Sequence, residues 1–238
     1  MADYTVLEQE LSSYGMTLTE KQKEQFTAFY QAMVEKNKVM NLTAITEWEE
    51  VLLKHFCDSA TLLRCIDLGK EQSLIDVGTG AGFPGIPLKI LFPEVEMTLM
   101  DSLQKRIHFL EEVRDLLGLE KLQLLHGRAE EAGRQKDLRE HFDVCVSRAV
   151  SQLSVLAEYC LPFVKVGGVF VSYKSADCEE EVEAAKKAIH ILGGEIKEVK
   201  RFTLPGSDMG RALVVIRKVS HTSGKYPRKA GTPAKMPL

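Results

Sequence analysis

From residue 71 onward, short apolar runs typical of β-strands alternate with segments of helical periodicity in five successive units, from "SLIDV" to "EEEVEAAKKAIHILGG". Such alternation predicts a parallel sheet with helices on both faces. Two further runs, "EIKEVKRFTL" and "ALVVIRKV", follow one another with only "PGSDMG" between them. Because a parallel return needs a long crossover, these runs predict an antiparallel hairpin. We therefore expect an α/β fold with a mostly parallel, seven-stranded sheet that ends in an antiparallel hairpin.

The pattern divides the chain into three segments of one structural domain. Residues 1–70 have helical periodicity and predict an N-terminal helical cap. Residues 71–219 hold the predicted sheet and form the core. Residues 220–238 lose all periodicity and are rich in Pro, Gly, Ser and Thr, which predicts an irregular tail. Two capping boxes predict helix starts within the cap: Thr19 with Gln22, and Thr46 with Glu49.

The composition is that of an ordinary globular protein, with 45% hydrophobic and 27% charged residues. No stretch approaches the roughly 18 apolar residues of a membrane span, and the first residues do not resemble a signal peptide. We therefore expect a cytoplasmic protein with no membrane contact. The five cysteines are widely spaced and form no C-x-x-C pair, so the sequence predicts buried, reduced thiols and no metal site.

Charge is distributed unevenly along the chain. The net charge is −3, yet the residues from Gly210 onward carry seven basic side chains and no acidic one, so the rest of the chain carries −10. A basic tail of this kind is typical of contact with polyanions such as nucleic acids, but it is also typical of a merely solvated tail. The charge alone leaves both interpretations open.

The glycine-rich loop "DVGTGAGFPG" follows directly after the first predicted strand, at an edge where open α/β sheets bind ligands. The spacing of Gly80, Gly82 and Gly85 permits a dinucleotide site, whereas a P-loop is excluded because no Gly-Lys-Ser/Thr follows. The pattern D-x-G-x-G-x-G, formed by Asp76, Gly78, Gly80 and Gly82, explains more of the loop. Its carboxylate would repel a pyrophosphate and favour a ligand with a cationic amino group, such as S-adenosylmethionine.

Two further sites are typical of adenosine binding. Asp101 ends the second predicted strand, where a carboxylate can bind both ribose hydroxyls, although this position suits NAD equally well. Ala129 and Glu130 follow the third strand, where the adenine ring would lie. Glu130 has an alternative interpretation as an acidic residue in the first turn of a helix.

Several motifs together resemble the ribosomal RNA small subunit methyltransferase G family. They are "DVGTGAGFPGIPLKI", "DSLQKRIHFL", "RAEE", "SRAV" and the tail "YPRKAGTPAKMPL", with "NLTAI" and "LKHFCDS" in the cap. The resemblance implies a class I S-adenosylmethionine-dependent methyltransferase with a Rossmann-like fold. It implies methyl transfer to N7 of one guanine in 16S rRNA, with S-adenosylhomocysteine as product. The cofactor contacts that it implies are Gly78, Phe83, Ala129, Glu130 and Arg148.

The chain carries no motif for deprotonating an exocyclic amine or attacking a ring carbon, which suits guanine N7 because N7 has a lone pair and no proton. Arg148, after the fourth strand, is a candidate catalytic residue, with the alternative that it ties the strand end to an acidic neighbour. Lys174 is a second candidate for contact with substrate. Asn41, His55 and Asp58 of the cap are candidates for the same cleft, and for His55 we favour a packing role.

The predicted partner is 16S rRNA or the small ribosomal subunit, and we expect a monomer. Three alternatives stay open on the residues alone. The first is a methyltransferase acting on a small molecule or protein, which would not need a basic tail. The second is an NAD(P)-dependent oxidoreductase, which the Gly80–Gly82–Gly85 spacing permits. The third is an RNA-binding module without catalytic activity.

Overall fold

A seven-stranded mixed sheet runs through the computed structural model, which describes residues 2–68, 72–148 and 151–238. The predicted boundary between cap and core, at residues 70 and 71, lies outside the described residues. Ala149 and Val150 of the "SRAV" motif also lie outside them.

The strands are as follows: β1 Ser73–Val77, β2 Glu96–Asp101, β3 Leu122–His126, β4 Phe142–Ser147, β5 Val164–Ser175, β6 Gly194–Thr203 and β7 Gly210–Lys218. The helices of the cap are α1 Thr5–Ser12, α2 Glu20–Met40, α3 Trp48–Val51 and α4 Asp58–Ala60, and a π-helical turn, Leu52–Cys57, joins α3 to α4. The helices of the core and tail are α5 Gly85–Leu91, α6 Gln104–Leu117, α7 Ala129–Ala132, α8 Leu153–Cys160, α9 Glu179–Ile191 and α10 Thr232–Lys235.

The strand order is β3-β2-β1-β4-β5-β7-β6. The first five strands pair in parallel, and β7 pairs antiparallel with both β5 and β6. The predicted fold class, a mostly parallel seven-stranded sheet with a terminal antiparallel hairpin, is confirmed. The chain reverses its direction across the sheet between β1 and β4, which is the switch point where such sheets bind ligands.

One of the two predicted capping boxes is present. Thr19 accepts a hydrogen bond from the backbone N–H of Gln22, and the Gln22 side chain accepts one from the backbone of Thr19, so α2 begins as predicted. The second is wrong: α3 has Glu47 as its N-cap and no side-chain cap. The carbonyl of Thr46 instead accepts a hydrogen bond from the Tyr30 hydroxyl at 2.9 Å.

The two faces of the sheet bury separate hydrophobic clusters. On one face, Phe26, Phe29 and Phe56 of the cap pack in the same cluster as Leu74 of β1 and Leu99 of β2. On the other face, α7, α8 and α9 cover residues of β4, β5 and β7. Because the cap shares a cluster with the sheet, cap residues are held close to the carboxyl ends of the strands.

The C-terminal tail is mostly irregular, as predicted, and contains the short helix α10. In the part of the chain that the structure describes, no helix combines the length and apolar character needed to cross a lipid bilayer.

Candidate active site

A cavity of about 1320 Å³ opens at the carboxyl ends of the parallel strands. Its walls come from the ends of β1, β2 and β5, from the residues that follow β3 and β4, and from the cap. This volume exceeds the roughly 300–1,000 Å³ of a typical small-molecule site. The cavity therefore has room for more than one ligand group.

The glycine-rich loop forms one wall of the cavity. Gly78 and Gly80 line it, and both have positive φ angles, 77° and 63°. A Cβ at Gly80 would meet no atom within 4 Å, so the backbone here faces open space. Gly82 lies elsewhere: a Cβ there would be 2.6 Å from Cγ1 of Ile86, and it is not among the lining residues. Gly82 is thus closely packed beneath the loop, and its predicted contact with the ligand stays a prediction.

Asp76 lies beneath the glycine loop, and its predicted contact with the ligand stays a prediction. It is fully buried, and it does not line the cavity. Its Oδ2 accepts a hydrogen bond of 2.9 Å from the backbone N–H of Gly85, which fixes the far end of the glycine loop. Burial raises the pKa of Asp76 to about 7, so the carboxylate charge itself is weakened. Asp76 organises the loop from below.

Asp101 lies at the end of β2 and lines the cavity, as predicted. Its Oδ2 accepts hydrogen bonds from the backbone N–H of Gly80 at 3.0 Å and from Nη1 of Arg106 at 3.2 Å. Its Oδ1 accepts a hydrogen bond of 2.9 Å from the backbone N–H of Leu103. These bonds tie the glycine loop to the second strand and hold the Asp101 carboxylate in one orientation at the cavity wall.

Ala129 and Glu130 form the first turn of α7 and line the cavity. Glu130 is buried, with 5% of its surface exposed. Its Oε1 accepts a hydrogen bond of 2.8 Å from the backbone N–H of Gly231 in the C-terminal tail. The sequence pattern indicated adenine recognition or a helix-terminus role for this carboxylate, and it contained no signal for the contact with the tail.

Arg148 follows β4 and lines the cavity, and the N–H groups of its guanidinium donate to residues of the cap. Its Nη1 donates to Oδ2 of Asp58 at 2.8 Å and to the carbonyl of Lys54 at 3.1 Å. Its guanidinium lies 5.1 Å from the ring centroid of Phe83, which also lines the cavity. The strand end is therefore tied to an acidic neighbour, the alternative considered for Arg148, while the guanidinium remains at the cavity wall.

Asp58 holds a second arginine, which no motif in the sequence indicated. Its Oδ1 accepts a hydrogen bond of 3.1 Å from Nε of Arg211, the second residue of β7. One carboxylate, 4% exposed, thus lies between two guanidinium groups that both line the cavity. We name the three residues Asp58, Arg148 and Arg211 the arginine pair site. Its excess positive charge can attract a phosphate or a carbonyl oxygen.

His55 lies beside the arginine pair site and is neutral at ordinary pH. Its Nδ1 lies 3.2 Å from Nη2 of Arg148 and 3.1 Å from the carbonyl oxygen of Lys54, and its Nε2 lies 3.1 Å from Oγ1 of Thr43. Burial and the charge of Arg148 lower the pKa of His55 to about 4. The ring stacks on Phe83 with centroids 4.4 Å apart. Both nitrogens are engaged, which agrees with the packing role that we favoured.

Lys174 lines the cavity but uses its ammonium group internally. Nζ donates to the carbonyl of Ser151 at 2.8 Å and to Oε1 of Glu181 at 2.6 Å. The same carboxylate oxygen accepts a hydrogen bond from the backbone N–H of Leu153. Lys174 and Glu181 thus hold the backbone at Ser151 and Leu153, and the contact of Lys174 with substrate stays a prediction.

Asn41 does not line the cavity. It is the C-cap of α2, with a φ of 49°, and it is exposed. Its neighbours Leu42 and Thr43 line the cavity instead. The described residues contain no group of three or more His, Cys, Asp or Glu side chains placed to hold a metal ion.

Comparison with known proteins shows which family the chain belongs to. A family model described as rRNA small subunit methyltransferase G matches residues 22–209. A ribosomal RNA small subunit methyltransferase G from Lactobacillus johnsonii is 53% identical over 235 residues, with 98% of each chain covered. A protein of the same name from Bacillus velezensis is 50% identical over 228 residues, with 96% of this chain and 95% of that one covered.

Solved structures support the fold. The [4+2]-cyclase SpnF superposes with a TM-score of 0.58 at 15% identity, with 82% of this chain and 96% of that chain covered. The ribosomal protein L11 methylase from Lactobacillus delbrueckii gives a TM-score of 0.52 at 15% identity, with 74% and 81% covered. The match to the family model and these extents of identity show that the chain belongs to the rRNA small subunit methyltransferase G family, whose members are S-adenosylmethionine-dependent methyltransferases.

Proposed function

We propose that this chain transfers the methyl group of S-adenosylmethionine to N7 of one guanine in 16S rRNA, as a monomer and in the cytoplasm. The relatives' shared name, ribosomal RNA small subunit methyltransferase G, supports the class of substrate. The observation that carries the proposal is the size of the cavity, about 1320 Å³. A methyl donor and a nucleobase turned out of its strand need to occupy one site together.

The residues along the glycine loop suit the adenosine part of the donor. Gly80 leaves open space beside the backbone, Asp101 lines the cavity with a carboxylate that hydrogen bonds hold in place, and Ala129 lines it with a small side chain. We place the ribose at Asp101 and the adenine against Ala129 and Glu130. When bound, the donor supplies a methyl group on a positively charged sulfur.

The chemistry at guanine N7 requires no general base, because N7 carries a lone pair in the plane of the ring and no proton. Consistent with this, the titratable groups that the cap contributes to the cavity are engaged within the protein. His55 is neutral with both nitrogens engaged, and Asp58 is held between two arginines. The protein's contribution is to hold nucleophile, methyl group and sulfur in line, which can account for a large share of the barrier.

The arginine pair site suits recognition of the target nucleotide. A guanidinium has five N–H groups, and the three hydrogen bonds of Arg148 to Lys54, Asp58 and His55 leave it donors for another partner. Guanine O6 and phosphate oxygens are ordinary acceptors for arginine. We propose that Arg148 and Arg211 orient the guanine through such oxygens rather than through N7, because a donor on N7 would block methylation.

The basic tail contributes less charge to RNA binding than its composition indicates. Of the seven basic residues from Gly210 onward, three are engaged within the fold. Arg211 binds Asp58, Arg228 binds Glu158, and Lys218 is fully buried against the carbonyl of Leu161. Lys225, Lys229 and Lys235 are exposed. We propose that these three lysines contact phosphates, because phosphate contacts position an enzyme on RNA.

The proposal is tested by methylation with identification of the product. Purified protein and S-adenosylmethionine are incubated with 16S rRNA, naked or in small subunits, from cells that lack this methyltransferase. The RNA is then digested to nucleosides and analysed by mass spectrometry. We expect one 7-methylguanosine per 16S rRNA in at least one of the two substrates. Methylation of an exocyclic amine, or none in either substrate, would overturn the proposal.

A further inference from the structure

The C-terminal segment from Thr222 to Gly231, which we name the strap, runs across α7 and the turn that follows it. Two arginines of that turn bind backbone carbonyls of the strap. Arg139 donates from Nη2 to the carbonyl of Thr222 at 2.6 Å and from Nη1 to that of Tyr226 at 2.9 Å. Arg134 donates from Nη2 to the carbonyl of Lys225 at 3.1 Å. These bonds hold the first half of the strap to the chain just after α7.

Charge pairing and close packing hold the middle of the strap. Arg228 binds Glu158 of α8 with its backbone N–H at 2.7 Å, Nε at 2.9 Å and Nη2 at 2.6 Å. Glu158 is 1% exposed, so removal of its partner would leave a buried charge unpaired. Pro227 packs on the turn, since a Cβ on Gly133 would lie 3.3 Å from its Cγ.

The end of the strap is bonded to the wall of the active site itself. The backbone N–H of Gly231 donates to Oε1 of Glu130 at 2.8 Å, and Glu130 lines the cavity. Helix α7 has only four residues, Ala129–Ala132, and no side-chain cap at its N-cap, Arg128. So short a helix is unstable without tertiary contacts. The strap supplies such contacts at Glu130 and at the turn that follows α7.

We propose that the strap is a positioning element of the methyl donor site. It holds α7 in the place where the adenosine part of the donor binds, and it thereby sets the affinity for the donor. The proposal rests on the placement of adenosine against Ala129 and Glu130 under the proposed function. It gives the tail a role distinct from RNA binding: its inward contacts act on the donor, while its exposed lysines face solvent.

Two variants loosen the strap in different ways. Arg228→Gln removes the ion pair with Glu158. Gly231→Ala keeps every polar atom but disfavours the φ of 80° that directs the backbone N–H at Glu130. The matched control is Arg217→Gln, which makes the same change of side chain and charge at an exposed position of β7, outside the strap. Calorimetry then measures the affinity of each full-length protein for S-adenosylhomocysteine and for 5′-methylthioadenosine, which shares only the adenosine half.

We expect Arg228→Gln and Gly231→Ala each to weaken ligand binding by about tenfold, or about 1.4 kcal/mol. The factor should be similar for the two ligands. The Arg217→Gln control should keep both affinities. Arg228→Gln combined with Glu158→Gln, which leaves no unpaired charge, should regain stability without regaining affinity. This readout separates positioning of α7 from general destabilisation.

Three results would contradict the inference while leaving the proposed function intact. The strap variants could keep the affinity for both ligands, they could lose affinity only for S-adenosylhomocysteine, or the double variant could regain full affinity along with stability. Failure of the unmodified protein to bind S-adenosylhomocysteine would instead overturn the proposed function.

Discussion

At the level of single residues, the catalytic end of the cavity depends on one buried carboxylate. Asp58 binds Arg148 through Oδ2 and Arg211 through Oδ1, from positions far apart in the chain. Two guanidinium groups brought together without this carboxylate would repel each other. Asp58 therefore holds both arginines in place, and under the proposed function the arginines would act on substrate.

Replacement of Arg148 by alanine should lower kcat/KM for methylation by about 100-fold, as is typical for removal of one pre-oriented charged donor. The variant should stay folded, because Asp58 retains Arg211 as a partner. Arg217→Ala, at an exposed position of β7, is the control and should keep the rate. Methylation assays with matched thermal melts measure both. Near-normal turnover by Arg148→Ala would remove the assignment.

Asp76 gives a prediction about pH. Burial raises its pKa from 3.8 to about 7, so the folded protein holds this proton more tightly than the unfolded chain. The protonated Asp76 carboxyl therefore makes its full contribution to the free energy of unfolding below about pH 4. This contribution is lost as the pH rises through about 7. Asp76→Asn, which cannot ionise, lacks this dependence. The Tm of the wild type minus the Tm of Asp76→Asn should therefore decrease by several degrees as the pH rises from about 5 to 7.

Thermal melts of both proteins without ligand check this dependence. A difference in Tm that stays constant over the same pH range would show that Asp76 does not titrate there.

At the level of helices, strands and loops, the glycine loop joins β1 to α5 and sets the shape of the donor wall. Gly82 belongs to the loop's packing rather than to its ligand face. A methyl group there would lie 2.6 Å from Cγ1 of Ile86 and 2.9 Å from Cδ2 of Leu110. The loop thus has one face of backbone open to the cavity and another closely packed on the helices below.

Gly82→Ala should lower stability through both its positive φ and this overlap, by about 2–4 kcal/mol, and should weaken binding of S-adenosylhomocysteine. The matched control is Gly118→Ala, since Gly118 also has a positive φ but no atom within 4 Å of the point where a Cβ would lie. It should lower stability by only about 1 kcal/mol and keep the affinity. Melts and calorimetry measure both, and equal effects in the two variants would contradict the packing argument.

Local sequence patterns predicted the elements well but not their long-range contacts. The strands and the Thr19 capping box depend on neighbouring residues, and the structure contains them. The box at Thr46 is wrong because α3 begins one residue later, with Glu47 as its N-cap, and the Thr46 carbonyl accepts a tertiary hydrogen bond from Tyr30. Periodicity indicates which residues are buried, but it does not indicate which buried groups contact one another.

At the level of the whole molecule, the site is assembled from the full length of the chain. Arg211 lies 153 positions from Asp58, and Gly231 lies 101 positions from Glu130. Asp101, Ala129, Glu130 and Arg148 could be predicted at the cavity because each lies at or just after the end of a strand. The internal hydrogen bonds of Asp76 and Lys174 could not be predicted, because they join residues that only the folded chain brings together.

The exposed face of the tail gives a prediction about RNA affinity. Replacing Lys225, Lys229 and Lys235 by glutamine should weaken RNA binding and reduce the slope of log K against log salt by about 0.7 for each phosphate that is no longer bound. The control replaces three exposed lysines elsewhere, Lys21, Lys186 and Lys187. Filter binding over a range of salt concentrations measures the slope. A slope that changes equally in both variants would reject a specific role for the tail.

Under the proposed function, one cavity would hold the donor along β1, β2 and α7 and present its methyl group to a guanine at the arginine pair site, and the other proposals depend on this arrangement. A crystal structure of the protein with S-adenosylhomocysteine is the decisive experiment. We predict the ribose at Asp101, the adenine against Ala129, and the sulfur toward Phe83 and Arg148. A ligand lying in another orientation, or density only for an added nicotinamide cofactor, would show the arrangement to be wrong.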